Sequence, residues 1–135
     1  MRDDQDEDGS ASSGRQTGED ALREAQIAEA EARVRELAGA FLEEARRAAN
    51  ALQARIDKAL DEAAPSASGL VRLLADLAAY AHDIRGQGGS FGHDSIAAAA
   101  ADLEQIVSSL NAAPAARLAA GAERLNALRA MLARA

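Results

Sequence analysis

Cysteine and tryptophan are absent from the 135 residues, and the aromatics are confined to Phe41, Tyr80 and Phe91. Without thiols the chain has no disulfide scaffold, no thiolate metal site and no cysteine nucleophile. Valine, isoleucine and threonine together number nine, too few to build the half-buried faces of a sheet protein. Proline occurs only at 65 and 114, so long stretches are free of helix breakers. The longest apolar run, Ile96 to Ala101, has six residues, far short of the roughly 18 that a membrane span needs. The first residues are acidic and polar, the opposite of a basic, apolar signal peptide. An excess of positive charge is also missing. The net charge is −7, which argues against nucleic acid as a partner. No membrane partner is expected, and the location expected is the cytoplasm.

What is abundant is alanine. Its 37 copies supply more than half of the 48% hydrophobic share. Together with leucine, arginine and glutamate they favour helix strongly, and an all-α chain is expected. The alanine- and arginine-rich composition suggests a bacterial origin on composition alone. The charge is uneven, because residues 1–20 hold seven acids against Arg2 and Arg15. With almost nothing apolar to bury, residues 1–18 are expected to be a disordered acidic tail.

Beyond the tail, apolar residues recur at three- and four-residue steps. Ile27, Ala30, Val34, Leu37, Phe41, Ala45, Ala48, Leu52, Ile56 and Leu60 form a first stripe over 19–63. After Pro65-Ser66-Ala67-Ser68-Gly69, with Ser68 read as the helix cap, a second helix over about 69–91 carries Leu70, Leu73, Leu74, Leu77, Ala81 and Ile84. A turn at Gly92-His93-Asp94 leads to Ile96, Ala100, Leu103, Val107 and Leu110. Pro114 then opens a last stripe of Leu118, Ala122, Leu125, Leu128 and Leu132. Four such helices bury their stripes against one another as an antiparallel four-helix bundle. The first would run roughly 65 Å at 1.5 Å per residue, about twice its partners. A break at Gly39 is therefore expected, leaving 19–40 as an N-terminal helical extension and 41–135 as the bundle.

Only two histidines occur, His82 and His93. With Leu70 at zero and about 100° per residue, the core residues of the second helix cluster within about 60° of zero and His82 falls near 120°. It is expected to face solvent. Its helical neighbours Ala75, Ala78, Ala79, Gly86 and Gly89 are too small to shield it, and Arg85 alone stands beside it. Gly86, Gly88 and Gly89 each cost a helix about 1 kcal/mol. They mark either the end of the helix near residue 85 or a surface kept bare for close approach by another molecule.

The stretch Ala81-His82-Asp83-Ile84-Arg85-Gly86, followed by Gly92, resembles the signature of histidine-containing phosphotransfer (HPt) domains. That signature reads Ala-His-x-Leu-Lys-Gly with a further Gly six residues on. The resemblance covers about 41–134 and implies a four-helix bundle whose second helix presents the phosphoacceptor to solvent. It implies that His82 is the phosphorylated nucleophile and that Arg85, in place of the family's Lys, stabilises the phosphoryl group. Gly86 would keep the approach open, and Gly92 would close the helix into its turn. The implied binding surface is Ala78, Ala79, Gly86, Gln87, Gly89 and Gly92. Arg for Lys changes a point charge into a planar fork. Asp83, directly after the histidine, resembles the phosphoacceptor helix of sensor histidine kinases.

Neutral imidazole is a competent nucleophile near pH 7, and phosphoryl transfer needs alignment and charge stabilisation more than covalent help. The resemblance implies that Mg²⁺ belongs to the partner, a response-regulator receiver domain bearing an aspartyl phosphate, with a hybrid kinase upstream. The chain itself is expected to need no cofactor and to have no kinase activity of its own. The function expected is that of a phosphorelay intermediate, with His82 passing phosphate from one receiver to another. Two alternatives stand beside it: a dimeric, histidine-kinase-like phosphotransferase, and a helical adaptor without phosphate chemistry. A monomer is expected, with a dimer through the N-terminal helix as the variant. His93 reads as structural, near a helix cap. No metal site is expected, since Glu-x-x-His pairs are lacking: Ala79 precedes His82 and Ser90 precedes His93 by three. Gln87 and Gln105 are candidates to hydrogen-bond a phosphoryl group, and both read equally as solvated surface.

Overall fold

The computed structural model describes the backbone of residues 2–135 and the side chains of residues 17–135. It contains four helices and, among the described residues, no strand: α1 (Arg2–Asp61), α2 (Ala67–Ser90), α3 (Asp94–Val107) and α4 (Pro114–Arg134). The chain divides into two compact units, residues 1–37 and 38–135.

Helix α1 does not break at Gly39; it continues through it. A lone glycine flanked by Ala38 and Ala40 lowers helix stability without ending the helix. The acidic tail expected to be disordered over 1–18 falls mostly on residues whose side chains lie outside the described ones, and the backbone from Arg2 is counted in α1. Within residues 17–37, Leu22, Ile27, Val34 and Leu37 are all exposed. Half of the first stripe is therefore not core.

The core lies wholly within 38–135. Phe41, Ala45, Ala49, Leu52 and Ile56 of α1 pack with Leu73, Leu74, Leu77, Tyr80, Ala81 and Ile84 of α2. Ile96, Ala100, Leu103 and Val107 of α3, with Leu118, Leu125, Leu128 and Leu132 of α4, complete the cluster. Within 38–135, two large stripe residues stay outside it. Leu60 is exposed, one residue before α1 ends, and Leu110 lies beyond α3 and is 91% exposed.

Contacts between helices show how neighbours run. Tyr80 donates its hydroxyl to the Ala45 carbonyl at 2.8 Å, and Arg55 pairs with Asp76 at 2.8 Å, so α1 and α2 are antiparallel. Arg46 Nε donates to the Leu132 carbonyl and Arg129 Nε to Asn50 Oδ1, which sets α4 antiparallel to α1. Gly121 of α4 is buried so close to α3 that a Cβ there would lie 2.7 Å from Val107 Cγ1. The result is a single four-helix bundle closed by one chain.

Candidate functional site

The site is built on α2, which starts two residues earlier than expected. Ser66, not Ser68, is its cap, with Oγ accepting from Gly69 N at 3.1 Å. A serine is most effective where its backbone is extended and its oxygen meets the third amide beyond it, and Ser66 has that extended backbone (φ −66°, ψ 139°). The helix then runs through Gly86, Gly88 and Gly89 to Ser90.

These glycines serve different ends. Gly88 is buried, and a Cβ on it would meet Ala97 N at 3.4 Å and the His93 carbonyl at 3.5 Å. The close approach there is by α3, not by another molecule. Gly86 and Gly89 are exposed, with nothing within 4 Å of a Cβ. Gly92 has φ +78° and ends the helix. Its N–H donates to the Gly89 carbonyl at 3.2 Å while His93 N donates to the Gly88 carbonyl at 2.8 Å. That pair of bonds is a left-handed glycine stop satisfying the last helical carbonyls. It turns the chain so that α3 runs back along α2.

His82 lies on the α2 face that meets this returning helix. Its side chain is 65% exposed, outside the core as its helical angle requires. It borders an open groove of about 680 Å³ whose walls are Ala78, Ala79, Asp83 and Arg85 from α2, Ala101, Glu104 and Gln105 from α3, and Ser108 at the end of α3. The alanines leave the imidazole uncovered. Of the surface residues expected from sequence, Ala78 and Ala79 join His82 here, and so does Gln105. Gln87 does not: it lines a separate groove between α1 and α2, with Phe41, Glu44 and Tyr80. Gly86 and Gly89 are exposed on α2, and Gly92 shapes the turn.

Arg85 is not the sole charged neighbour of His82. Glu104, only 21% exposed, reaches across from α3 and places Oε2 3.0 Å from His82 Nδ1 and Oε1 3.1 Å from Arg85 Nη1. Arg85 Nη2 is also 3.3 Å from His82 Nδ1. A carboxylate only accepts hydrogen bonds, so the Glu104 contact requires a proton on Nδ1. Sequence reasoning missed Glu104. Its signal was its place at three- and four-residue steps from Ala101 and Ser108, but which helix that face meets depends on the handedness of the bundle. His93 serves as the cap residue of α3 without a side-chain cap bond, its ring tilted against Phe41 at 6.4 Å.

The family model described as Hpt domain matches residues 21–135. The chain belongs to the Hpt domain family. No curated protein and no solved structure matches it. Hpt domains carry out histidine phosphotransfer in phosphorelay signalling, where they meet receiver domains and kinases. The four-helix architecture of this Hpt domain agrees with that membership. Among the described residues no helix is long and apolar enough to cross a membrane.

Proposed function

We propose that His82 is the phosphoacceptor of this Hpt domain, taking a phosphoryl group from a receiver-domain aspartyl phosphate and passing it to a second receiver in a bacterial cytoplasm, downstream of a hybrid kinase. The observation that carries the reading is the exposed His82 ring in a groove lined in part by alanines, with Nδ1 engaged by Glu104 and no hydrogen bond to Nε2 among the described residues. The Nε2 lone pair attacks phosphorus in line as the P–O bond to the aspartate breaks, and the carboxylate leaves with the electron pair. The ring, still protonated at Nδ1, carries the phosphoryl group and one positive charge. Transfer to the next receiver reverses these bonds. Arg85, 47% exposed one turn from His82, offsets the phosphoryl charge of roughly −2. The acidic pocket and Mg²⁺ belong to the receiver. The transfer module is residues 38–135.

The dimeric kinase-like reading has less support, because the core closes within one chain and leaves no hairpin waiting for a partner. The proposal is tested by incubating the protein with a panel of phosphorylated receivers and following acid-labile, base-stable label. At least one receiver should label the wild type, and His82→Gln should abolish that label. A variant labelled as well as wild type removes the assignment.

A further inference from the structure

We propose that residues 19–37 are a docking helix for a partner protein that presents an apolar strip flanked by lysines or arginines. The inference does not rest on the phosphoacceptor reading of His82; it concerns a part of the chain outside the transfer module. With Ile27 at zero and about 100° per residue, Ile27, Ala30, Val34 and Leu37 fall within an arc of about 80°. Leu22 extends that arc past Leu37. All five residues are exposed, the four large ones by more than half. Anchors at three- and four-residue steps along one helix face are what a partner reads when it takes a helix into an apolar site. Residues 22–37 offer about 24 Å of such a face.

Charge decides what lies on it. Residues 1–31 hold ten acids against Arg2, Arg15 and Arg23, so they carry the whole net charge of −7 and the rest of the chain is neutral. Asp20, Glu24 and Glu31 fall within about 60° of Ile27 on the side away from Leu37. None of the three has an ion pair or a hydrogen bond among the described residues. Two arginines also border the strip, and acids outweigh both. Arg33 is 3.9 Å from Glu29, and Arg23 is flanked in sequence by Glu19, Asp20 and Glu24. A second copy of the chain is a poor occupant, because it would set these acids against their own kind. The strip from Ile27 to Leu37 is also shorter than two heptads, whereas a coiled coil sustains its pattern over roughly three or four. An anionic lipid surface would repel the same carboxylates. A basic, apolar protein surface covers the strip, pairs the carboxylates and is steered toward them from a distance.

The probes are two synthetic helical peptides of about four heptads with leucine at a and d, one carrying lysine and the other glutamate at e and g. Binding to the full chain is read by fluorescence anisotropy of the labelled peptide. The lysine peptide should bind and the glutamate peptide should not. Raising salt from about 0.05 to 0.5 M should weaken the complex roughly tenfold. A chain combining Ile27→Ala, Val34→Ala and Leu37→Ala should bind more than roughly tenfold more weakly, and Glu24→Gln with Glu31→Gln roughly fivefold more weakly. Alanine and glutamine both favour helix, so these variants are expected to fold, which circular dichroism verifies. His82 labelling by phosphoramidate, a small phosphoryl donor that needs no docking surface, should be unchanged by saturating lysine peptide. No binding of the lysine peptide, or equal binding of both peptides, overturns the proposal. So does a triple-alanine chain that binds as tightly as wild type, which is adsorption by charge alone, or a peptide that suppresses labelling, which places it on the bundle. The binding results stand whether or not His82 takes phosphate, so the two readings fail separately.

Discussion

A phosphoryl group arriving at a histidine meets whatever its neighbours present, and around His82 those neighbours are three alanines with Asp83, Arg85, Glu104, Gln105 and Ser108. The arginine's share is measurable. Arg85→Ala removes a half-exposed charge, and such pairs are worth up to about 1 kcal/mol, so transfer from a receiver should slow roughly fivefold. Arg85→Lys should recover part of that loss, since charge is kept but the fork is not; pre-steady-state transfer kinetics measure both. Gly86 allows a sharper comparison. A Cβ there meets nothing within 4 Å, so Gly86→Ala should stabilise the domain by about 0.5–1 kcal/mol in urea unfolding. If the bare surface serves receiver approach, the same variant transfers more slowly from a receiver while phosphoramidate labelling stays unchanged. An unstable Gly86→Ala protein would show that the open space is not real.

Among the helices, close packing falls at Gly88 and Gly121, and the two are not equivalent. At Gly88 the nearest atom to a Cβ is 3.4 Å away, whereas at Gly121 Val107 Cγ1 would be 2.7 Å away. The β-branched valine is stiff at χ1 and cannot swing clear. Gly121→Ala should therefore lose roughly 1–3 kcal/mol despite alanine's better helix propensity, read as a lower urea midpoint. This level is also where sequence and structure diverge in instructive ways. The three later stripes were legible because leucine and isoleucine at 3.6-residue spacing have only one way to be buried, and Leu73, Leu103, Leu125 and Leu132 are buried accordingly. The N-terminal half of the first stripe misleads, since Ile27, Val34 and Leu37 carry the same period yet stay exposed; periodicity reports a helix face, not a partner for it. His82 was legible because its angle from the core follows from helix geometry alone. Glu104 was not, because its contact with His82 depends on the register of α3 against α2, which only the Gly92 turn and the Gly88 contact define. That Gln87 lines a different groove from His82 was not legible for the same reason, since two residues on the exposed side of α2 can face different neighbours.

At the scale of the whole molecule, every buried hydrophobic residue among the described ones comes from residues 41–132. A chain beginning at residue 38 should melt cooperatively and label at His82 within about twofold of full length; loss of either would show that residues 1–37 are needed for folding or transfer. Light scattering should give a monomer mass. One group ties bundle stability to pH. Burial pushes the Tyr80 phenol above its ordinary value of 10.0, so the folded state keeps this proton when the unfolded chain releases it. The contribution is fully present below pH 10 and is lost as pH rises above it, at up to about 1.4 kcal/mol per unit. Tyr80→Phe should flatten that decline, at a cost of about 1 kcal/mol for the hydrogen bond to Ala45. All of this serves to hold one imidazole in the open. The most direct test is tandem mass spectrometry of the full chain, kept at alkaline pH after exposure to a phosphorylated receiver. The phosphoryl group should be on His82. Phosphate on His93, or on an oxygen side chain with His82 unmodified, would contradict it.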